Sequence, residues 1–218
     1  MPKWLKLILA CLLLPVCIGE AKALWLVLVA SWESVTVWVA MITGVMCWMA
    51  IFWMLPKPLW LYVFGHELTH VLWTWLFGGQ VKKFKATAKG GHVIVTKSNF
   101  LISLAPYFFP LYAVGVVLVY LAGNAIWNWA PYQLWFHFFL GAAYAFHVTL
   151  NWQALQTTQT DVTEHGYCFS AVIIFLGNAT VMLLGVPLLT GKVGAGTAGQ
   201  LWWRETVGIL SWLARLHS

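Results

Sequence analysis

Long tracts without charged residues constrain this chain more than any other feature. Residues 98–160 contain no Asp, Glu, Lys or Arg, and neither do residues 34–55 or 166–191. Since a membrane-spanning helix needs about 20 apolar residues, the longest tract holds two spans and the other two hold one each. The apolar residues around 58–77 and those of the N-terminal tract raise the expected number to about six spans.

Composition supports the same fold class. Only 8% of the residues are charged, against about 25% in a typical soluble domain. The sequence therefore predicts an all-α polytopic membrane protein, with residues 1–218 forming one integral membrane domain. We expect it to be a multi-pass protein of the cell (inner) membrane.

The net charge of +6 and the four cysteines bear on whether the chain binds nucleic acid and whether it uses disulfides or cysteine-bound zinc. In so apolar a chain, a basic balance indicates lysines at the membrane edges that face anionic lipids, and no nucleic-acid partner is predicted. The cysteines have no paired spacing, so neither a disulfide framework nor a cysteine-based zinc site is expected. The segment "GEAKA" at 19–23 leaves two interpretations, a cleaved signal peptide or a retained first helix.

Two segments depart from the pattern of apolar spans. Residues 81–97, "VKKFKATAKGGHVIVTK", contain two short stretches of β-branched residues around Gly90-Gly91 and carry five lysines. They predict a β-hairpin that turns at the two glycines. In the tail, residues 200–218 alternate apolar and charged positions at helical spacing, which predicts an interfacial helix.

The third apolar tract carries the motif "HELTH". His66 and His70 are four residues apart, so on a helix both imidazoles lie on one face and can reach the same metal ion. Glu67 lies about 100° around the helix from His66, where its carboxylate can contact a water molecule beside the metal. This is the H-E-x-x-H pattern of zinc metalloproteases, in which zinc acidifies a water molecule and the glutamate takes its proton.

Two histidines leave a catalytic zinc site one protein ligand short. The chain contains a single aspartate, Asp161. Steps of three and four residues back from it meet polar residues within a predicted helical tract, residues 131–160. We consider two interpretations of this stripe: a helix–helix contact stabilised by small and polar residues, or the lining of a zinc cavity with Asp161 as the third ligand. The main members of the stripe are His137, Tyr144, His147, Asn151 and Asp161.

Residues 58–165 resemble the site-2 protease family of intramembrane zinc metalloproteases. The resemblance rests on a membrane-embedded "HELTH", Gly78-Gly79, a lysine-rich hairpin, and Asn151 followed by Asp161. Asn151 and Asp161 are two residues further apart than in the family motif, the intervening proline is missing, and Val162 replaces the family's glycine.

The resemblance implies a function for each of these parts. His66, His70 and Asp161 bind Zn²⁺, Glu67 is the general base, and Asn151 stabilises the oxyanion. The expected activity is cleavage of a transmembrane or membrane-proximal segment of a membrane-protein substrate. The hairpin either pairs with the unwound substrate or binds lipid headgroups through its lysines. The alternative is a non-proteolytic membrane protein, such as a transporter or a metal-binding scaffold, that retains the motif.

Overall fold

The computed structural model describes residues 2–216. Within them the chain is mostly helical and contains a two-stranded antiparallel sheet after the motif helix, as predicted. The strands are β1 (Val81–Thr87) and β2 (Gly90–Val95). The helices are α1 (Lys3–Ser31), α2 (Val35–Met54), α3 (Leu59–Leu76), α4 (Phe100–Phe108), α5 (Leu111–Trp127), α6 (Gln133–Leu155), α7 (Thr160–Thr163), α8 (Tyr167–Thr190) and α9 (Ala195–Arg215), with a 3₁₀ turn at Ala130–Tyr132.

Three helices of the described chain, α1, α2 and α8, are long and apolar enough to cross a membrane. The pair α4 and α5 meets the same test together but is bent by 72°, so it is either a broken span or a re-entrant loop. The predicted fourth span is therefore interrupted. Helices α3 and α6 are not in this set. The two histidines and Glu67 lower the mean hydropathy of α3, and histidine, asparagine and glutamine side chains lower that of α6. Six spans remain a prediction.

The chain divides into two compact units, one of which combines the residues up to Val35 with those from Thr160 onwards. In this unit α1 packs against α8 and α9. Glu20, in the middle of α1, is buried and accepts a hydrogen bond of 2.7 Å from the hydroxyl of Thr180. Residues 200–215 of the predicted interfacial helix lie within α9 and Leu216 is its C-cap, while residues 217–218 of that prediction lie outside the described residues.

The other unit comprises residues 36–159 and carries the motif. Helices α2 and α6 approach closely because Gly44 and Gly141 have no side chains, and a Cβ at either position would overlap a backbone oxygen of the facing helix. The ring centroids of Trp48 and Phe146 are 5.0 Å apart, and the Trp48 indole N–H donates a 2.9 Å hydrogen bond to the hydroxyl of Thr149. These contacts hold α6 against α2.

The hairpin packs against α3, the motif helix. Its register pairs Lys85 with His92 and Thr87 with Gly90, so the turn consists of residues 88–89. The predicted turn at Gly90-Gly91 was therefore wrong by two residues, and both glycines belong to β2. All five lysines of the segment are exposed.

Candidate metal centre

The motif histidines are adjacent on one face of α3. The ring centroids of His66 and His70 are 5.0 Å apart, and both side chains are half-buried. The Tyr107 ring of α4 packs edge-on against His66 at 5.3 Å. Glu67 is buried, with 8% of its surface exposed. In this unit a carboxylate thus accompanies two imidazoles in a largely apolar environment.

The tautomer of His70 follows from its hydrogen bond to the backbone. Its Nδ1 lies 2.9 Å from the carbonyl oxygen of Ile102 in α4. A carbonyl oxygen only accepts, so Nδ1 carries the hydrogen and donates it. The Nε2 atom of neutral His70 therefore carries a lone pair, which is the form that a metal ligand requires.

Glu67 lies against the backbone of the hairpin at Gly91. A Cβ built on Gly91 would be 2.6 Å from Cγ of Glu67 and 2.8 Å from its Oε1 atom. Both distances are shorter than van der Waals contact, so only glycine permits this approach. The start of β2 thus covers the predicted general base.

Asn151 of α6 connects three helices through its side-chain amide. Its Nδ2 donates to the carbonyl oxygen of Pro106 at 3.0 Å and lies 3.2 Å from Nδ1 of His147. Its Oδ1 accepts a 3.0 Å hydrogen bond from the hydroxyl of Tyr62 in α3. The contact with a carbonyl oxygen fixes the orientation of the amide, because only nitrogen can donate there.

A small cavity lies between these residues. Its volume is about 20 Å³, enough for about one water molecule. Polar groups from three helices line it, including Tyr62, His66, His147 and Asn151. Such a cavity suits a single water molecule, which needs two to four polar partners.

The polar stripe is only partly on one helix. His137, His147 and Asn151 are buried along α6, as expected for a face that packs inward. The predicted helical tract of residues 131–160 is wrong at its C-terminal end, because α6 ends at Leu155. Thr157 and Gln159 bond the carbonyl oxygen of Ala154 through their side chains beyond the helix end.

Asp161 lies in a separate element, the short helix α7, in the unit that contains the N-terminal helix. Its assignment as the third zinc ligand stays a prediction. Four residues later, buried His165 accepts a 2.6 Å hydrogen bond at Nδ1 from the Lys6 ammonium group. Burial lowers the pKa of His165, and the positive charge of Lys6 lowers it further.

Tyr62 and Gly91 are among the residues of this centre that the sequence analysis missed. Tyr62 precedes His66 by four residues and so lies on the same face of α3, a signal that was available in the sequence. No sequence pattern indicated the contact between Gly91 and Glu67, since it depends on how the hairpin packs on α3.

Comparison of the chain with family models, curated proteins and solved structures gives no match. The resemblance to site-2 proteases therefore rests on the motif residues and their order along the chain.

Proposed function

We propose that this protein is an intramembrane zinc endopeptidase. One observation carries the proposal: on α3, a buried carboxylate accompanies two adjacent imidazoles, and one of these is held in a metal-binding tautomer. Ionisable groups are expensive among apolar helices and mark functional sites there. A helix–helix contact alone requires no such combination of groups.

The donor set fits zinc. His66 and His70 supply two nitrogen ligands of the kind zinc prefers, and Asp161 is the proposed oxygen ligand. Zinc, when bound, lowers the pKa of a coordinated water molecule to about 7 and polarises the scissile carbonyl. The backbone bond of His70 would orient its ring toward the ion, as is usual for histidine ligands of metals.

Glu67 is the proton carrier in this proposal. Its carboxylate takes a proton from the attacking water and delivers it to the amine that leaves when the peptide bond breaks. The shielding of Glu67 from solvent keeps that proton within the site. No other glutamate lies in α3.

Asn151 is the proposed oxyanion donor. Its amide is already close to Pro106 and His147, so it reaches a developing oxyanion by exchanging its contact with His147. The backbone contact and the Tyr62 hydrogen bond keep the group in position during that exchange.

In the proposed membrane arrangement, α1, α2, α3, the pair α4–α5, α6 and α8 form six spans in the cell (inner) membrane, and α9 lies at the interface. The substrate is a membrane protein, with a segment that must unwind before cleavage because helical peptide bonds are shielded. Strand β2 offers such a segment an edge with which to pair. The exposed lysines of the hairpin bind anionic lipid headgroups.

The test is cleavage of a set of single-span candidate substrates in proteoliposomes by wild type and by Glu67→Gln. We expect wild type to cleave at least one and Glu67→Gln to cleave none, with one zinc per chain in both proteins. Glu33→Gln is the matched control, because Glu33 is exposed in α1's unit and the substitution removes the same charge.

Two results would contradict the proposal. Stoichiometric zinc without cleavage of any substrate would favour a metal-binding scaffold. Purified protein without tightly bound zinc would favour a transporter that uses the polar stripe of α6.

A further inference from the structure

Two backbone carbonyls in α4 lack the N–H group that would normally donate to them within a helix, because Pro106 and Pro110 occupy the donor positions. In an α-helix, the N–H group of residue i+4 donates to the carbonyl of residue i. The donor for Ile102 would come from residue 106, and the donor for Pro106 would come from residue 110. Both positions are proline, which has no N–H group. The carbonyls of Ile102 and Pro106 therefore need partners from outside the helix.

Both partners are polar residues of the candidate centre. His70 of α3, 32 residues away in sequence, donates from Nδ1 to Ile102, and Asn151 of α6, 45 residues away, donates from Nδ2 to Pro106. Ile102 is 2% exposed, so water does not compete for its carbonyl. Each carbonyl that lacks a helical donor because of a proline thus accepts a hydrogen bond from one side chain of the centre.

We propose that Pro106 is a positioning residue for His70 and that Pro110 is one for Asn151. Pro106 reserves the Ile102 carbonyl for His70, which holds the imidazole in the Nδ1–H tautomer with the Nε2 lone pair available to a metal. The consequence for zinc rests on the proposed function, whereas the tautomer itself does not.

An N–H group at position 106 would compete directly with His70. The helix would present this donor at the distance and angle of an ordinary helical hydrogen bond, with no loss of side-chain freedom. His70 would then lose its acceptor at Nδ1, and with it the hydrogen bond that holds the ring in the Nδ1–H tautomer. The effect at Pro110 is smaller, because α4 has already ended at Phe108.

The test compares Pro106→Ala with replacement of Pro106 by lactic acid, the hydroxy-acid analogue of alanine. The two variants have the same side chain, but only alanine supplies an N–H group. Nitrogen NMR of histidine-labelled, metal-free protein in nanodiscs reports the tautomer, and the His70 signal is assigned from its loss in His70→Gln. Zinc affinity is measured by competition with a chelator.

We expect His70 to be in the Nδ1–H form in wild type and in the lactic acid variant, and to lose this preference in Pro106→Ala. Zinc should bind about 10- to 100-fold more weakly to Pro106→Ala, the range for loss of an outer hydrogen bond to a metal ligand. Pro187→Ala in α8 is the matched control, since Pro187 also lies inside a helix but belongs to the other unit of the chain.

The inference is overturned if folded Pro106→Ala keeps the Nδ1–H form of His70, or if the lactic acid variant loses it. Should Pro106→Ala fail to fold, the lactic acid variant decides alone, because it leaves the Ile102 carbonyl to His70. A wild-type protein that binds no zinc would refute the proposed function, while the tautomer would still decide this inference.

Discussion

Replacing Gly91 by alanine should displace Glu67, the proposed general base, from its catalytic position. The added Cβ would lie 2.6 Å from Cγ of Glu67 and 2.7 Å from the carbonyl oxygen of Lys85. Carbon atoms in contact are about 3.5–4.0 Å apart, so Glu67 or the hairpin must shift by about 1 Å. A misplacement of about 1 Å can cost about 100-fold in rate. We therefore expect a fall in kcat of about that size.

The assay is cleavage of a substrate that wild type processes, with zinc content measured on the same samples. Zinc should stay bound, because the three atoms nearest to the added Cβ belong to Glu67 and Lys85, and neither residue is a predicted zinc ligand. Gly115→Ala in α5 is the control, since a Cβ there meets nothing within 4 Å.

A double-mutant cycle separates the clash with Glu67 from the clash within the hairpin. In Glu67→Ala protein the Cγ atom is gone, so Gly91→Ala should lower the thermal stability less than it does in wild type. Activity of Gly91→Ala within threefold of wild type, or an absence of coupling in the cycle, would refute the reasoning.

Three further predictions concern the acid–base groups. Glu67→Gln should lower turnover by at least about 10²–10⁴-fold with zinc retained, which is the loss typical of a missing general base. Near-normal cleavage by a Glu67→Gln protein that contains zinc would contradict this role. Asp161→Ala should lower the zinc content, whereas Glu164→Ala, a change at an exposed neighbour, should not. Loss of zinc in Glu164→Ala and not in Asp161→Ala would assign the third ligand to Glu164 instead. Burial and the positive charge of Lys6 lower the pKa of His165 in the folded protein. The unfolded chain therefore binds a proton at His165 more readily than the folded chain does. The contribution of His165 to stability should fall as the pH drops below 6.5, the ordinary pKa of histidine. Lys6→Met should weaken that pH dependence in thermal unfolding between pH 8 and 5, and an unchanged profile would exclude the Lys6 contribution.

Local patterns in the sequence predicted the parts of the centre that lie on one element. The four-residue spacing of His66 and His70 places both on one face of any helix, whatever surrounds it. The β-branched residues of 81–97 likewise predicted a hairpin, and the long uncharged tracts predicted apolar helices. These features depend on neighbours within a few residues, which the sequence displays directly.

The tertiary structure alone decided which groups these elements bring together. Pro106 and Pro110 were visible in the sequence near the start of a span, but the sequence did not indicate that α3 and α6 would supply donors to the carbonyls they expose. Gly91 was read as a turn residue, whereas the packing of the hairpin on α3 makes it the point of contact with Glu67. Such contacts join residues far apart in the chain, and their partners are chosen by helix packing and by the need of buried polar groups for hydrogen bonds.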